Sequence, residues 1–231
     1  MATTDVDICN AALVLIGKPA VISSLTDGSV AASNCQALYS LSLSTLLAEF
    51  AWTFATTTVL LANVDNPNQL WQYAYQLPGD VVTPLDIYES DAQGDITGTF
   101  SNAYPAPLGL VSFYPTFSPG MQLATQQDFT CETDSEGNGL ILTNQANAML
   151  KYVRFVTSAA NFPPLFVQAL SCMLASKLAG AMIKGDVGVT AVEKLLQTYT
   201  FWLDKAKVAD ANRRVEHPRY VPAALAMRNG A

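Results

Sequence analysis

The chain is short of charge. Half of its 231 residues are hydrophobic and only 13% are Asp, Glu, Lys or Arg, about half of the roughly 25% common in globular domains. Exposed surface is where charge normally resides, so the shortage points to surface covered by neighbouring subunits. Basic residues are scarcer still. None falls between Lys18 and Lys151, an interval that holds Asp27, Glu49, Asp65, Asp80, Asp86, Glu89, Asp91, Asp95, Asp128, Glu132, Asp134 and Glu136. Tight nucleic-acid binding needs Lys and Arg to replace counterions, and this acidic body, with its net charge of −7, argues against it. Such a surface suits nucleic acid that must pass without sticking. Only the C-terminal end reverses the sign, with Lys205, Lys207, Arg213, Arg214, Arg219 and Arg228.

Ligand and catalyst chemistry is equally sparse. There is one histidine, His217, and the four cysteines (Cys9, Cys35, Cys131 and Cys172) form no C-x-x-C pair, which argues against a Cys/His zinc site. Cys9, Cys35 and Cys172 lie in apolar helical patterns and read as small buried hydrophobes. A Ser-His-Asp triad or Cys-His dyad would have to use His217, which sits beside Pro218 in a stretch with no stable period. No P-loop and no G-x-G-x-x-G is present. The expectation is no catalytic residue, no cofactor and no metal. A carboxylate-based glycan hydrolase using Asp80 or Asp86 is the alternative. The opening "MATTDVD" is acidic and is not a secretory signal. The apolar run "LFVQALSCMLASKLAGAMI" carries Gln168, Ser171, Ser176 and Lys177 and is expected to fall short of a clean membrane span. Reducing cytosol, without a membrane, is the expected setting.

What is present has a clear order. Thr4 and Asp7 stand at capping-box spacing ahead of Ile8, Ala11, Ala12, Leu15 and Ile16 on one helical face, and Gly17 and Pro19 end that helix. Thr26 or Asp27 is expected to cap a second helix running to about Ala55, with Cys35, Ser42 and Leu46 on one row and Val30, Leu41, Ala48 and Trp52 on the next. From about Leu70 to Val156 the period becomes that of strands: "YAYQL", "VVTPLDIY", "GDITGTF", "PLGLVSFY", "DFTCET", "LILTN" and "MLKYVRFV". Pro84 and Pro115 push their strands toward edges. "DSEGNG" places Asp134, Glu136, Asn138 and Gly139 at positions 1, 3, 5 and 6 of a calcium loop, but position 12 is Gln145 and the flanks are strands, so a hairpin turn is expected. "DAQGD", with Asp91 and Asp95, reads as a turn too. Pro163 and Pro164 restart helix, Gly185 breaks it, and Val189, Val192, Leu195, Leu196, Tyr199, Trp202, Leu203 and Ala206 form the stripe of a last helix.

The expected class is therefore α+β: a four-helix bundle-like domain made of residues 1–69 and 157–214, a small antiparallel β domain of residues 70–156 inserted into it, and an extended tail of residues 215–231. In "WQYAYQLPGD", strand alternation puts Trp71, Tyr73 and Tyr75 on one face, where they are expected to pack the junction of the two domains, with Asp80 capping the turn that follows.

Several stretches carry a resemblance: "DICNAALVLIGKPAVISSLTDGSVAASNCQALY", "LLAEFAWTFATTTVLLA", "YAYQLPGDVV", "LILTNQANAMLKYVRFV", "NFPPLFVQALSCMLASKLAGAMI" and "FWLDKAKVADANRR". In these, and in their order, the chain resembles the tail tubular protein A family, the head-to-tail adaptor (connector) proteins of short-tailed bacteriophages. It departs from the family at Ala11 and Ser44, where a charged residue is usual, and the region 91–129 matches none of its patterns. The resemblance implies a non-enzymatic virion protein at the head-tail junction, assembled in the bacterial host cytoplasm. It implies a ring of twelve copies built by the helical domain below the portal protein, with the β domain toward the tail nozzle protein and double-stranded DNA passing through without specific binding. It also implies a C-terminal segment reaching the portal, for which Arg213, Arg214, Arg219, Tyr220 and Leu225 are the candidates. The turns with Asp91, Asp95, Asp134 and Glu136 are the candidates for the nozzle side.

Overall fold

The computed structural model describes residues 3–68, 70–89 and 127–213. The class is mixed helix and sheet, with four helices and two antiparallel sheets among the described residues. The chain divides into two compact units, one from the segments up to Ala55 and from Phe155 onward, the other from Thr56–Arg154.

In the first unit, α1 (Asp5–Leu15) begins with a complete capping box: the Thr4 hydroxyl accepts from the Asp7 amide, and the Asp7 carboxylate accepts from the Thr4 amide at 2.9 Å. The Asn10 side chain bonds both the amide and the carbonyl of Ile22, so the loop after α1 folds back on it. α2 (Val30–Ala48) is capped by Ser29, whose hydroxyl accepts from Ala32. Asp27, one of the expected caps, acts one step earlier and accepts from the Ser29 amide. α2 ends at Ala48 and not near Ala55. Trp52 folds back so that its indole donates to the Leu46 carbonyl at 2.9 Å, and the amides of Trp52 and Ala55 make tight turns. A freed helix-end carbonyl is thereby satisfied by a side chain. Phe54 and Phe162 flank the same cluster, in which Phe166 meets Trp52 edge to face at 5.0 Å.

α3 (Pro164–Met182) packs against α1, α2 and the last helix, α4 (Asp186–Ala211). Contrary to expectation, α3 is long and apolar enough by length and composition to cross a membrane, with a mean hydropathy of 1.5, but 61% of that stretch is buried inside the protein. Gly185 begins the turn into α4 at a positive φ, and a Cβ on Gly188 would collide with the Ile183 carbonyl, so the lack of a side chain there is what permits so tight a turn.

The second unit holds β1 (Thr56–Leu60), β2 (Asn63–Val64), β3 (Tyr73–Gln76), β4 (Val81–Glu89), β5 (Phe129–Thr133), β6 (Gly139–Thr143) and β7 (Ala148–Arg154). One sheet has the order β1-β7-β4 and the other β2-β3-β6-β5, all neighbours antiparallel. Residues of both sheets make one core: Leu61, Tyr75, Ile87, Ile141, Ala148, Leu150 and Tyr152. Pro84 lies in β4 at a sheet margin, beside a register shift, where a missing N–H is tolerated. β1 and β2 were not anticipated. The sequence boundary at 69/70 left them with the helices, while their pairing with β7 and β3 puts them in the sheets. The strands read in "GDITGTF" and "PLGLVSFY", with Pro115, lie outside the described residues.

Candidate functional site

Two surfaces stand out, one in each unit. The first is the outer side of α2. None of its 19 residues is charged, although the helix is only partly buried. Cys35, Tyr39, Ser42, Leu43, Leu46 and Leu47 face inward, while Val30 and Leu41 are 76% and 56% exposed. Of the neighbouring row of Val30, Leu41, Ala48 and Trp52, the first three thus face outward, while Trp52, beyond the helix, is buried. A solvated helix of this length would carry on the order of five charges at average composition. On α1 and the loop after it, Val14, Leu15 and Val21 are exposed as well. α4 behaves likewise: its expected stripe buries Leu195, Tyr199, Leu203 and Ala206, but Val189 and Leu196 are exposed, as are Phe201 and Val208 on another face. Lys205 covers part of the Phe201 ring, with its ammonium 4.3 Å from the centroid.

The second surface is an open cleft of about 660 Å³ at one end of the β unit, lined in part by Asp65, Asn68, Glu132, Asp134 and Glu136. Asn68 donates to both oxygens of Glu132, at 3.2 and 3.3 Å. Asp134 organises the β5–β6 hairpin: Oδ1 accepts from the amides of Glu136 and Asn138 at 2.8 Å each, and Oδ2 from the Asn138 side chain. The Asn138 side chain and then its amide hold the Asp134 carboxyl below its usual range. "DSEGNG" is therefore a turn closed by its own carboxylate, with Gly137 at a positive φ. Among the described residues no group of three or more His, Cys, Asp or Glu is placed to hold a metal ion.

The remaining candidates fall out differently. Arg213 ends the turn after α4, while Arg214, Arg219, Tyr220, Leu225 and His217 lie outside the described residues, as do Asp91 and Asp95. Asp80 does not cap the Pro78-Gly79 turn through its side chain as expected; its Oδ1 accepts from the Tyr152 hydroxyl at 2.9 Å. Asp86 accepts from Tyr88 at 3.0 Å. Neither carboxylate lines the acidic cleft. Tyr75 belongs to the β unit's own core and the partly buried Tyr73 packs against that core, their rings 6.4 Å apart, while the unit's borders in sequence lie at Ala55/Thr56 and Arg154/Phe155. Trp71 is half-buried and offers its carbonyl to Asn66. The alternation that put the tyrosines on one face is correct. What was misjudged is where the border lies, because β1 precedes them.

Sequence reasoning also missed Asp210, which is 3% exposed near the end of α4. It accepts from the Thr53 amide at 2.9 Å and the Thr53 hydroxyl at 2.6 Å. An Asp on the inward face of an amphipathic helix was the available signal, since a buried carboxylate needs partners. No protein-family model matches the chain, and no curated protein matches it.

Proposed function

We propose that this chain is a structural assembly protein, a head-to-tail adaptor of a short-tailed bacteriophage that forms a ring between the portal and the tail nozzle. The observation that carries the assembly part is α2, whose exposed side is free of charge and bears Val30 and Leu41. Interface cores are depleted of charge in this way. A ring needs two dissimilar surfaces on each copy, closing at the right rotation. The apolar exposed residues of α1 and α2 on one hand, and of α4 on the other, are suited to that.

The adaptor part rests on the resemblance of the six stretches. In this reading the first unit is the ring-forming, bundle-like helical domain, the β unit is its insertion facing the nozzle, and the C-terminal tail docks on the portal through Arg213, Arg214, Arg219, Tyr220 and Leu225. The hairpin with Asp134 and Glu136, and the turn with Asp91 and Asp95, meet the nozzle. The interval without Lys or Arg lines a channel that DNA crosses without counterion-release binding. No enzymatic step is involved.

The test is to mix the purified chain with the portal of the same phage and image the product. Rings of this chain seated on the portal are expected, and a chain ending at residue 214 should fail to attach. Absence of any complex with the full chain overturns the proposal. A peptidoglycan zymogram with Asp80→Asn as control covers the hydrolase class: a cleared band lost in that variant would replace assembly with catalysis.

A further inference from the structure

The β unit leaves one strand edge open. In the sheet of order β1-β7-β4 the outer strands are β1 and β4, and in the other sheet they are β2 and β5. An unpaired edge is a template for a further strand unless something blunts it. β4 is blunted by Pro84 and two register shifts, and its Ile87 carbonyl accepts from the Gln127 amide at 3.0 Å. β5 carries Glu132, whose carboxylate is held by Asn68, and β2 has only two residues. β1 has none of these devices. Its "TTTVL" holds no charge and no proline, and it pairs with β7 residue by residue without a shift.

The register decides which groups β1 offers. The Leu61 amide donates to the Ala148 carbonyl at 3.0 Å, one step beyond the pair of Leu60 and Met149. Bonded and non-bonded pairs alternate in an antiparallel ladder, so Thr57 and Val59 bond to β7, while Thr58 and Leu60 turn their N–H and C=O groups away from it. Among the described residues these outward main-chain groups meet no partner. Apolar side chains stand beside them. Val59, on the face of Leu150 and Tyr152, is 37% exposed, and Leu60, in a row with Met149 and Tyr88, is 60% exposed. An open cleft of about 230 Å³ lies at the Leu60 end, lined in part by Leu61, Leu77 and Pro78.

We propose that β1 takes a further strand from a partner: an extended segment, uncharged where it pairs, with Lys or Arg at its flanks. Main-chain pairing supplies the affinity, and the cleft receives one small apolar side chain. Charge selects this occupant. No Asp, Glu, Lys or Arg stands from Phe50 to Val64, so the paired residues meet a neutral edge. Around it, Lys151 and Arg154 are the only basic residues among the described residues of the β unit, against acids that include Asp65, Asp80, Asp86, Asp128, Glu132 and Asp134. A second copy would bring two such acidic units together, whereas a segment with basic flanks is attracted. This strand site does not depend on the phage adaptor reading.

The experiment titrates the isotope-labelled full chain with the end-blocked peptide Lys-Lys-Thr-Val-Thr-Val-Thr-Lys-Lys and follows amide exchange by NMR. At saturation the Thr58 and Leu60 amides should exchange about tenfold more slowly or less, while those of Thr57 and Val59, bonded to β7 throughout, stay slow. The same peptide with Glu in place of Lys should bind about tenfold more weakly, and the gap should close in ~1 M salt. Leu60→Pro removes an outward N–H and leaves the β7 bonds in place, so it should abolish binding while the circular-dichroism spectrum is retained. Leu60→Lys keeps every main-chain group and blunts the edge by charge, so it should weaken the lysine peptide; it decides the matter if the proline variant does not fold. Unchanged exchange at Thr58 and Leu60, equal binding of the two peptides, or wild-type binding by either variant overturns the proposal. So does protection of the two amides that grows with protein concentration alone, which makes a second copy the occupant.

Discussion

The two units are held together by different means. The helical unit relies on filled volume: α3 is surrounded by helices, and one end is closed by the ring cluster of Phe50, Trp52, Phe54, Phe162 and Phe166. The β unit has a small core, and three of its tyrosines are anchored by their hydroxyls. Tyr75 donates to the Gln145 carbonyl, Tyr152 to Asp80 and Tyr88 to Asp86. The exception in the helical unit makes the same point. Tyr199 is buried on α4, and its hydroxyl has no partner among the described residues. Burial, and then the charge of Glu49, push that phenol up to about 12. Deleting volume should therefore harm the first unit most, and deleting the bonded hydroxyl of Tyr75 should cost more than deleting the unpaired one of Tyr199.

Trp52→Ala should have the largest effect, about 3–5 kcal/mol of stability, because it empties the cluster and frees the Leu46 carbonyl. Denaturant unfolding followed by far-UV circular dichroism measures it, and a loss below about 1 kcal/mol would break the comparison. Asp210→Ala should cost about 2–3 kcal/mol, since the Thr53 amide and hydroxyl lose a charged partner. The same unfolding curve reports it. Tyr75→Phe should cost about 1–2 kcal/mol, because the Gln145 carbonyl loses its donor and the Ala148 amide loses a weak acceptor. Amide exchange at Ala148 should accelerate with it. Tyr199→Phe should be neutral or stabilise by up to about 1 kcal/mol, since it removes an unpaired buried hydroxyl. A loss like that of Tyr75→Phe would mean the units do not differ in this respect.

The smallest effect is one the two units share. Asp7 is held low by the Thr4 hydroxyl and then its amide, and Asp134 by Asn138. A depressed carboxyl stabilises the fold above its unfolded pKa, and that contribution fades as pH falls through the folded value. Carboxyl-carbon NMR titration should give both midpoints below the ordinary aspartate value of 3.8, with the amide signals of Glu136 and Asn138 moving in step with Asp134.

The helices were legible because their causes are local. Thr4 and Asp7, Pro164 and Gly185 mark starts and stops within a turn of where they act. α2 was drawn too long because Trp52 has the right spacing to continue a helical row, and only the side-chain bond back to Leu46, six residues earlier, shows that the chain turns back. In the β unit the alternation in "YAYQL" and the Asx chemistry of "DSEGNG" were legible for the same local reason. β1 was not: "TTTVL" has strand-forming residues, but its partner β7 lies far along the chain, and nothing nearby announces the pairing. The site candidates fared by the same rule. Asp134 was placed correctly in a turn. Asp80 was misassigned because its partner, Tyr152, is distant in sequence. Cys9, Cys35 and Cys172 were each recognised as buried from the apolar helical pattern around them.

The carboxylate of Asp210 also has a mechanical meaning. It grips Thr53 through two bonds close to the C-terminal end of α4. Tension applied from the C-terminal side would not peel α4 open one hydrogen bond at a time. It would pass from Asp210 into the segment around Trp52, where both bonds and the aromatic cluster must yield together. The last helix is thus clamped at the end where a pull would arrive, and the protein should resist extraction by its C-terminus far better than the exposed ion pair of Lys207 with Glu49 would allow.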